Sequence, residues 1–446
     1  MNPAKDAQIN YLNIGLMALS ALLAYFLPFE TFLMAYAFLG PLHYLTEISW
    51  LHDRKYFSKG KYDFIVLLII GVLLSYAAFA KDFGINVDFY ESFVEANLFD
   101  KLLVFALFSA VLFALVENIF VKIVSILLLF VFVSGWLSPE RADANRASTT
   151  VFALTSLVPT LIHVYVFTGL FMLYGALKSR SKTGLLSFVS FILFPIILVF
   201  YATVDTKSNF LSDYGKKAYY ADGEGFFNTN ISILDHFQLI DDPYYSNADF
   251  IAFLKKNNFE KANKENNFIS ENNLKSLLDS LSKQPNKPYL IQKQKINPGF
   301  QVDNILLFFD KDGSFTEFYG KPIPAKNFLG YSYSKYNNIV FFSTIGIMLM
   351  RFIAFAYLYH YLNWFSKTEV IRWHKVPKIR FAAVIILWLL ACGAYAYDYS
   401  IGLNFLFFLS FTHVLLEFPL NIVSIVGIGS ESIKIFKNGF SVKSKN

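Results

Sequence analysis

Apolar segments about 20 residues long recur through both ends of this chain, and no other feature constrains its folding as strongly. A backbone N–H or C=O left unpaired in hydrocarbon is so costly that each such segment must be a helix satisfying its own backbone. The expected spans are 10–28, 31–50, 63–80, 101–116, 120–136, 149–177, 184–203, 337–362, 381–397 and 402–427. Span two is the least apolar, because it holds His43, Thr46 and Glu47, and spans four and five are parted only by Glu117, Asn118 and Lys122. Composition agrees: 16% of residues are charged and 55% hydrophobic, against roughly 25% charged in soluble domains. The single cysteine, Cys392, excludes an internal disulfide. A net charge of +6 without a basic stripe gives no sign of nucleic acid.

The short loops set an orientation. Lys and Arg are retained on the cytoplasmic side, and they gather after span two (Arg54, Lys55, Lys59, Lys61), after span six (Lys178, Arg180, Lys182), after span eight (Lys367, Arg372, Lys375, Lys378, Arg380) and in the tail (Lys434, Lys437, Lys443, Lys445). Ten spans place all of these on one side, with both termini cytoplasmic, as expected for a bacterial inner-membrane protein. A retained first helix fits the N-terminus better than a signal peptide, since no trustworthy cleavage pattern follows the apolar run. Glu117 and Lys122 read as solvated loop charges, and the many Phe and Tyr residues as mainly lipid-facing and interfacial.

The fold expected is therefore an all-α polytopic membrane protein of about ten transmembrane helices, with a small α+β extracytoplasmic domain inserted between helices seven and eight. Residues 1–203 carry the first seven helices, 204–336 the soluble domain and 337–446 the last three. Within 204–336, Ala248 to Lys256 and Ser270 to Leu281 read as helices, the second from leucines at three- and four-residue steps. Ile305 to Phe309 and Ser314 to Phe318 read as a hairpin turning at Asp310 to Gly313. Asp310 and Asp312 lack the remaining ligands of a calcium loop.

Ionisable residues at membrane depth are costly and mark function. His43 and Glu47 form HYLTE in span two, and His413 and Glu417 form HVLLE in span ten. Residues four apart share a helix face, so each helix presents an imidazole beside a carboxylate. His163, just after Pro159, and His360 add one histidine each from spans six and eight. The expected metal ligands are His43, Glu47, His163, His360, His413 and Glu417, with Glu47 and Glu417 also the candidate catalytic groups. Imidazole and carboxylate suit iron, zinc or copper, and helical bundles converge such ligands on a buried site. Non-haem iron is favoured over haem or zinc. At about 1.5 Å per residue the four histidines sit at different depths, with His360 nearest the surface. His52 and His374 lie outside the core and His236 in the soluble segment. Arg351, nine residues before His360, lies on the opposite face of its helix and needs a different partner.

Many spans with scattered histidines, the GPLH string at Gly40 to His43, and the absence of Rossmann, P-loop or nucleophile-elbow motifs resemble the histidine-rich polytopic membrane oxygenases, of the bacterial β-carotene dioxygenase or lipid desaturase type. The paired histidine boxes of desaturases are absent, and no catalytic residue carries over. The resemblance implies oxygen chemistry on a lipid or isoprenoid drawn from the bilayer. The competing readings are a proton-coupled transporter using the same residues as a relay and a non-catalytic membrane scaffold.

Overall fold

The computed structural model describes residues 3–82, 85–141, 148–206, 210–219, 221–239, 260–261, 289–296, 302–309, 315–320, 339–367 and 376–440. The chain divides into two compact units, Met1–Asn230 with Thr344–Asn446, and Ile231–Ser343. In the first unit the helices are α1 (Pro3–Phe26), α2 (Pro28–Met34), α3 (Gly40–Asp53), α4 (Phe64–Asp82), α5 (Val87–Glu95), α6 (Leu98–Leu115) and α7 (Ile119–Trp136). They continue as α8 (Thr149–Phe152), α9 (Thr168–Ser179), α10 (Lys182–Ile196), α11 (Asp213–Tyr219) and α12 (Ala221–His236, reaching into the second unit). The last three are α13 (Thr344–Ser366), α14 (Lys378–Tyr397) and α15 (Tyr399–Asn438).

Among the described residues eight helices are long and apolar enough to cross a membrane, which makes the chain a multi-pass integral membrane protein. Their outer faces suit lipid: on α7 Phe120 is 73% and Val131 69% exposed. Two of the ten expected spans fall short of that criterion. Both are helical: α4 runs for 19 residues and its described apolar stretch is Phe64–Ala77. The stretch 31–50 is carried by α2 and α3, whose Phe29, Phe32, Tyr44, His43 and Glu47 are all buried in protein. A helix shielded from lipid by its neighbours has no need to be apolar along its length, so hydropathy under-reads it. α13 is the opposite case, buried nearly all round from Gly346 to Asn363, as expected of the central helix of a bundle.

Three stretches widen to π-helix: Ala35–Leu39 between α2 and α3, Ala153–Phe167 between α8 and α9, and Ile197–Tyr201 after α10. Pro41, Pro159 and Pro195 lie in or beside them. Proline has no N–H to give and its ring crowds the carbonyl one turn back. A wider turn relieves that clash, and such bulges are frequent at functional sites.

Contacts fix the relative direction of the inner helices. Tyr44 of α3 stacks on His413 of α15 at 4.2 Å between ring centroids, and Glu47, one turn further along α3, and Glu417, one turn further along α15, reach His43 and His163, both of which pack on His413. His360 of α13 meets His43, and Trp364, one turn on, donates to Thr46 Oγ1 at 3.0 Å. His163 meets Glu417, Tyr174 of α9 lies against Gly427, and Arg180 pairs with Glu431 at 3.0 Å. Helices α3, α9, α13 and α15 therefore run in one direction, and Arg54, Arg180, Lys367 and Lys434 gather at one end of the bundle. Asn10, near the start of α1, reaches Ser181 and Thr183 at the same end.

In the second unit the backbone forms a four-stranded antiparallel sheet: β1 (Glu260–Lys261), β2 (Tyr289–Ile296), β3 (Val302–Phe309) and β4 (Phe315–Gly320), in the order β1-β4-β3-β2. β3 and β4 pair with Phe309 opposite Phe315, close to the hairpin register expected. The helices expected at 248–256 and 270–281, the turn carrying Asp310 and Asp312, and His374 all lie outside the described residues.

Two expectations are corrected. Lys122 is not a solvated loop charge: it is 2% exposed, and its Nζ lies 2.6 Å from Asp63 Oδ2. Asp63, just ahead of α4, supplies a buried counter-charge that the sequence separates from Lys122 by three helices, α4, α5 and α6. Glu117 does stay exposed, bound to Lys59 at 2.9 Å. The expectation for the aromatic residues holds only in part, since Tyr36, Tyr44, Tyr219, Tyr357, Tyr359, Tyr361, Tyr395 and Tyr399 are buried while Tyr11, Tyr62, Tyr201 and Tyr397 are exposed. A buried Tyr is stable where its hydroxyl finds a partner, as Tyr44 and Tyr361 find each other at 3.0 Å.

Candidate metal centre

All six expected ligand residues are brought together inside the first unit, each at most 6% exposed. The four imidazoles form a closed ring. Going round it, the centroid distances are 4.7 Å from His43 to His360, 5.1 Å to His163, 5.2 Å to His413 and 5.4 Å back to His43. The rings meet edge to face, so no two lie flat on one another. The spread of depths expected from the sequence disappears because the helices extend unequally beyond the site. α13 ends at Ser366, six positions after its histidine, whereas α15 continues to Asn438. His360, the outlier by depth, makes the shortest contact: its Nε2 is 3.0 Å from His43 Nε2.

The carboxylates lie on one side of the ring. Glu47 Oε2 is 3.0 Å from His43 Nε2, and Glu417 Oε2 is 3.2 Å from His163 Nδ1. Neither of these oxygens is aligned for a hydrogen bond, nor is either nitrogen of His163. Buried polar atoms are ordinarily paired; here they approach closely while aiming past one another, as ligands do around a common ion. Two ligands on adjacent vertices, with bonds of about 2.1 Å, lie about 3.0 Å apart in an octahedron and about 3.4 Å apart in a tetrahedron. The contacts of 3.0–3.2 Å match such edges. One ligand atom each from His43, His163 and His413 falls within 4.8 Å of the others, so binding one ion through all three draws these rings inward.

Outer partners orient the ring. His413 Nδ1 lies 3.3 Å from the Leu409 carbonyl, which only accepts, so Nδ1 carries the proton and Nε2 keeps its lone pair. Thr168 Oγ1 is 2.7 Å from His360 Nδ1, leaving His360 Nε2 toward His43. Such hydrogen bonds to the far nitrogen are the usual support of a metal-bound histidine. Tyr44 and Tyr361, neighbours of the ligands in HYLTE and YHYLNW, wall the site, with Tyr361 5.2 Å from His43 between centroids. Sequence reasoning passed over Thr168, Tyr44 and Tyr361. The only signal for the tyrosines was their adjacency to the two histidines.

Residues expected outside the cluster are outside it. His52 is exposed, 3.6 Å from Asp53. Asp53 also binds Arg380 at 2.8 Å, and that hydrogen bond is the chief reason its carboxyl is held below the usual range. Arg351 Nη1 donates to the Thr203 carbonyl at 3.0 Å, and its guanidinium sits 4.2 Å above the Tyr25 ring, away from the histidines.

No family model, curated protein or solved structure matches this chain. Fold and site together define its class: a polytopic helical membrane protein with a buried histidine cluster that could bind metal.

Proposed function

We propose that the four histidines and two glutamates bind redox-active metal, with iron favoured, and that the protein is an oxidoreductase acting on a lipid or isoprenoid from the bilayer. The observation that carries this reading is the ring of converging nitrogen and oxygen atoms at ligand-edge spacing. Histidine and carboxylate donors with open positions are the ligand set of non-haem iron centres that handle oxygen. A bound iron would supply one-electron redox chemistry and dioxygen activation. The chain's part is to hold the imidazoles by Thr168 and the Leu409 carbonyl, to keep the carboxyls of Glu47 and Glu417 adjacent, and to surround them with aromatic rings. Glu47 and Glu417, each beside a histidine, bring two carboxyl groups to the site. Haem fits poorly, because four imidazoles in mutual contact leave no space for a flat macrocycle between any two.

By the positive-inside rule the end of the bundle bearing Arg54, Arg180 and Lys434 is cytoplasmic, both termini lie on that side, and the 204–336 insertion lies outside, as in an inner-membrane protein. The burial of Glu47 and Glu417 among histidines also favours a second reading, a proton-coupled transporter.

The test is oxygen uptake by iron-loaded protein in vesicles containing polyunsaturated phospholipid or an isoprenoid. The oxidoreductase reading expects substrate-dependent uptake that His163→Ala abolishes. A protonophore-sensitive solute flux without oxygen uptake would replace it with the transporter.

A further inference from the structure

The two sides of the histidine ring differ in kind. Toward the N-terminal ends of α3, α13 and α15 the interior is an aromatic layer with several hydroxyls paired. Among the described residues the unpartnered atoms on that side are Thr412 Oγ1, a hydroxyl able to turn to its own helix, and Nε of Arg351, whose guanidinium already bonds the Thr203 carbonyl. Tyr36 bonds Ser410 at 3.2 Å, Tyr399 donates to the Leu33 carbonyl at 3.4 Å, and Phe32 packs edge-on against Tyr357 at 5.0 Å. Toward the C-terminal ends the three helices carry polar residues in register. α15 presents Glu417, Asn421 and Ser424, α13 presents His360 and Asn363, and α3 presents Glu47 and Trp50. Steps of three, four and seven residues keep each series on one helix face. At about 1.5 Å per residue, Asn421 lies about 6 Å and Ser424 about 10 Å beyond Glu417.

These polar groups are buried without partners. Both ends of the Asn421 amide, Asn363 Oδ1, Ser424 Oγ and Trp50 Nε1 lack a hydrogen-bond partner among the described residues, although Asn421 is 2%, Ser424 1% and Asn363 7% exposed. An unpaired buried hydroxyl, such as Ser75 or Ser109 elsewhere in the bundle, can turn to a carbonyl of its own helix. An amide with both ends unpaired has no such remedy, and burying it dry costs on the order of 1–3 kcal/mol per group. Polar sites of this kind are where proteins hold internal water.

We infer that a hydrated seam runs from the histidine ring, past Asn421, Asn363 and Ser424, to the end of the bundle where α3 and α13 terminate, and that water reaches the site from that end alone. The inference rests on the unpartnered amides and the paired aromatic layer, and it holds whether or not a metal is bound. One-sided access suits an enzyme drawing protons from one compartment; a transporter needs the site open to each side in turn.

The experiment is thiol accessibility in full-length protein in vesicles, in a Cys392→Ser background. Asn421→Cys and Ser424→Cys probe the seam, and Ala356→Cys, buried at 0% exposure one turn before His360, probes the aromatic side. A small, charged, membrane-impermeant thiosulfonate is applied to each face separately. Asn421→Cys and Ser424→Cys should react at least about tenfold faster than Ala356→Cys, and only from the face bearing Arg180 and Lys434. Rates for the seam positions no faster than for Ala356→Cys would overturn the seam, and fast labelling of Ala356→Cys would overturn its one-sidedness. Ser424→Cys exchanges only oxygen for sulfur, so it carries the result if Asn421→Cys does not fold.

Discussion

Lys122 and the histidines are all ionisable groups removed from water, yet they solve the problem differently. Lys122 takes a direct partner in Asp63, which also accepts from Ser58 Oγ and the Gly60 N–H at 2.5 and 2.9 Å. Breaking a buried pair by deleting one member costs about 3–5 kcal/mol, because the other is left uncompensated. Lys122→Ala should therefore lower thermal stability by about 3 kcal/mol, and adding Asp63→Asn should restore part of the loss; calorimetry or a melting curve in detergent measures both. The histidines instead gather on one another, with one ligand atom each of His43, His163 and His413 within 4.8 Å of the others, a spacing that could hold an ion. That they would meet was legible in the spacing of His43 with Glu47 and His413 with Glu417. The outer support from Thr168 was not, since nothing in a sequence says which hydroxyl of span six faces which imidazole of span eight. The burial of Lys122 was equally hidden, because its partner precedes a different helix.

At the scale of elements, hydropathy found the most apolar helices and read the segment of α2 and α3 least well. α3 carries two of the six ligands, His43 and Glu47, both buried in protein, so its polarity reflects the site. The wide-turned stretch Ala153–Phe167 was not legible at all, although Pro159 marked its place. That stretch sets the angle of His163: removing one extra residue per turn rotates everything beyond it by about 100°. Pro159→Ala restores the missing N–H and permits ordinary helical turns. It is expected to cut metal content severalfold while circular dichroism remains helical, a combination that separates misaimed ligands from an unfolded bundle.

On the scale of the whole molecule, the placement of basic residues was readable because short loops obey a simple electrostatic rule. The contacts of α3, α9, α13 and α15 bring those same residues to one end, which hydropathy alone could not establish. A fluorescent reporter fused after Asn446 should be bright, and an alkaline phosphatase fused there inactive, if that end faces the cytoplasm; the reverse pattern would invert the orientation. The same parallel arrangement makes one pocket from side chains hundreds of residues apart, and the claim that this pocket is a metal centre underlies the rest. Its most direct test is elemental analysis of the purified protein beside His413→Ala, with His52→Ala as an exposed-histidine control. The account predicts at least one bound transition-metal ion per chain in the wild type and in His52→Ala, and its loss in His413→Ala with the fold retained. Metal-free wild-type protein after loading, or equal metal in all three, would contradict it.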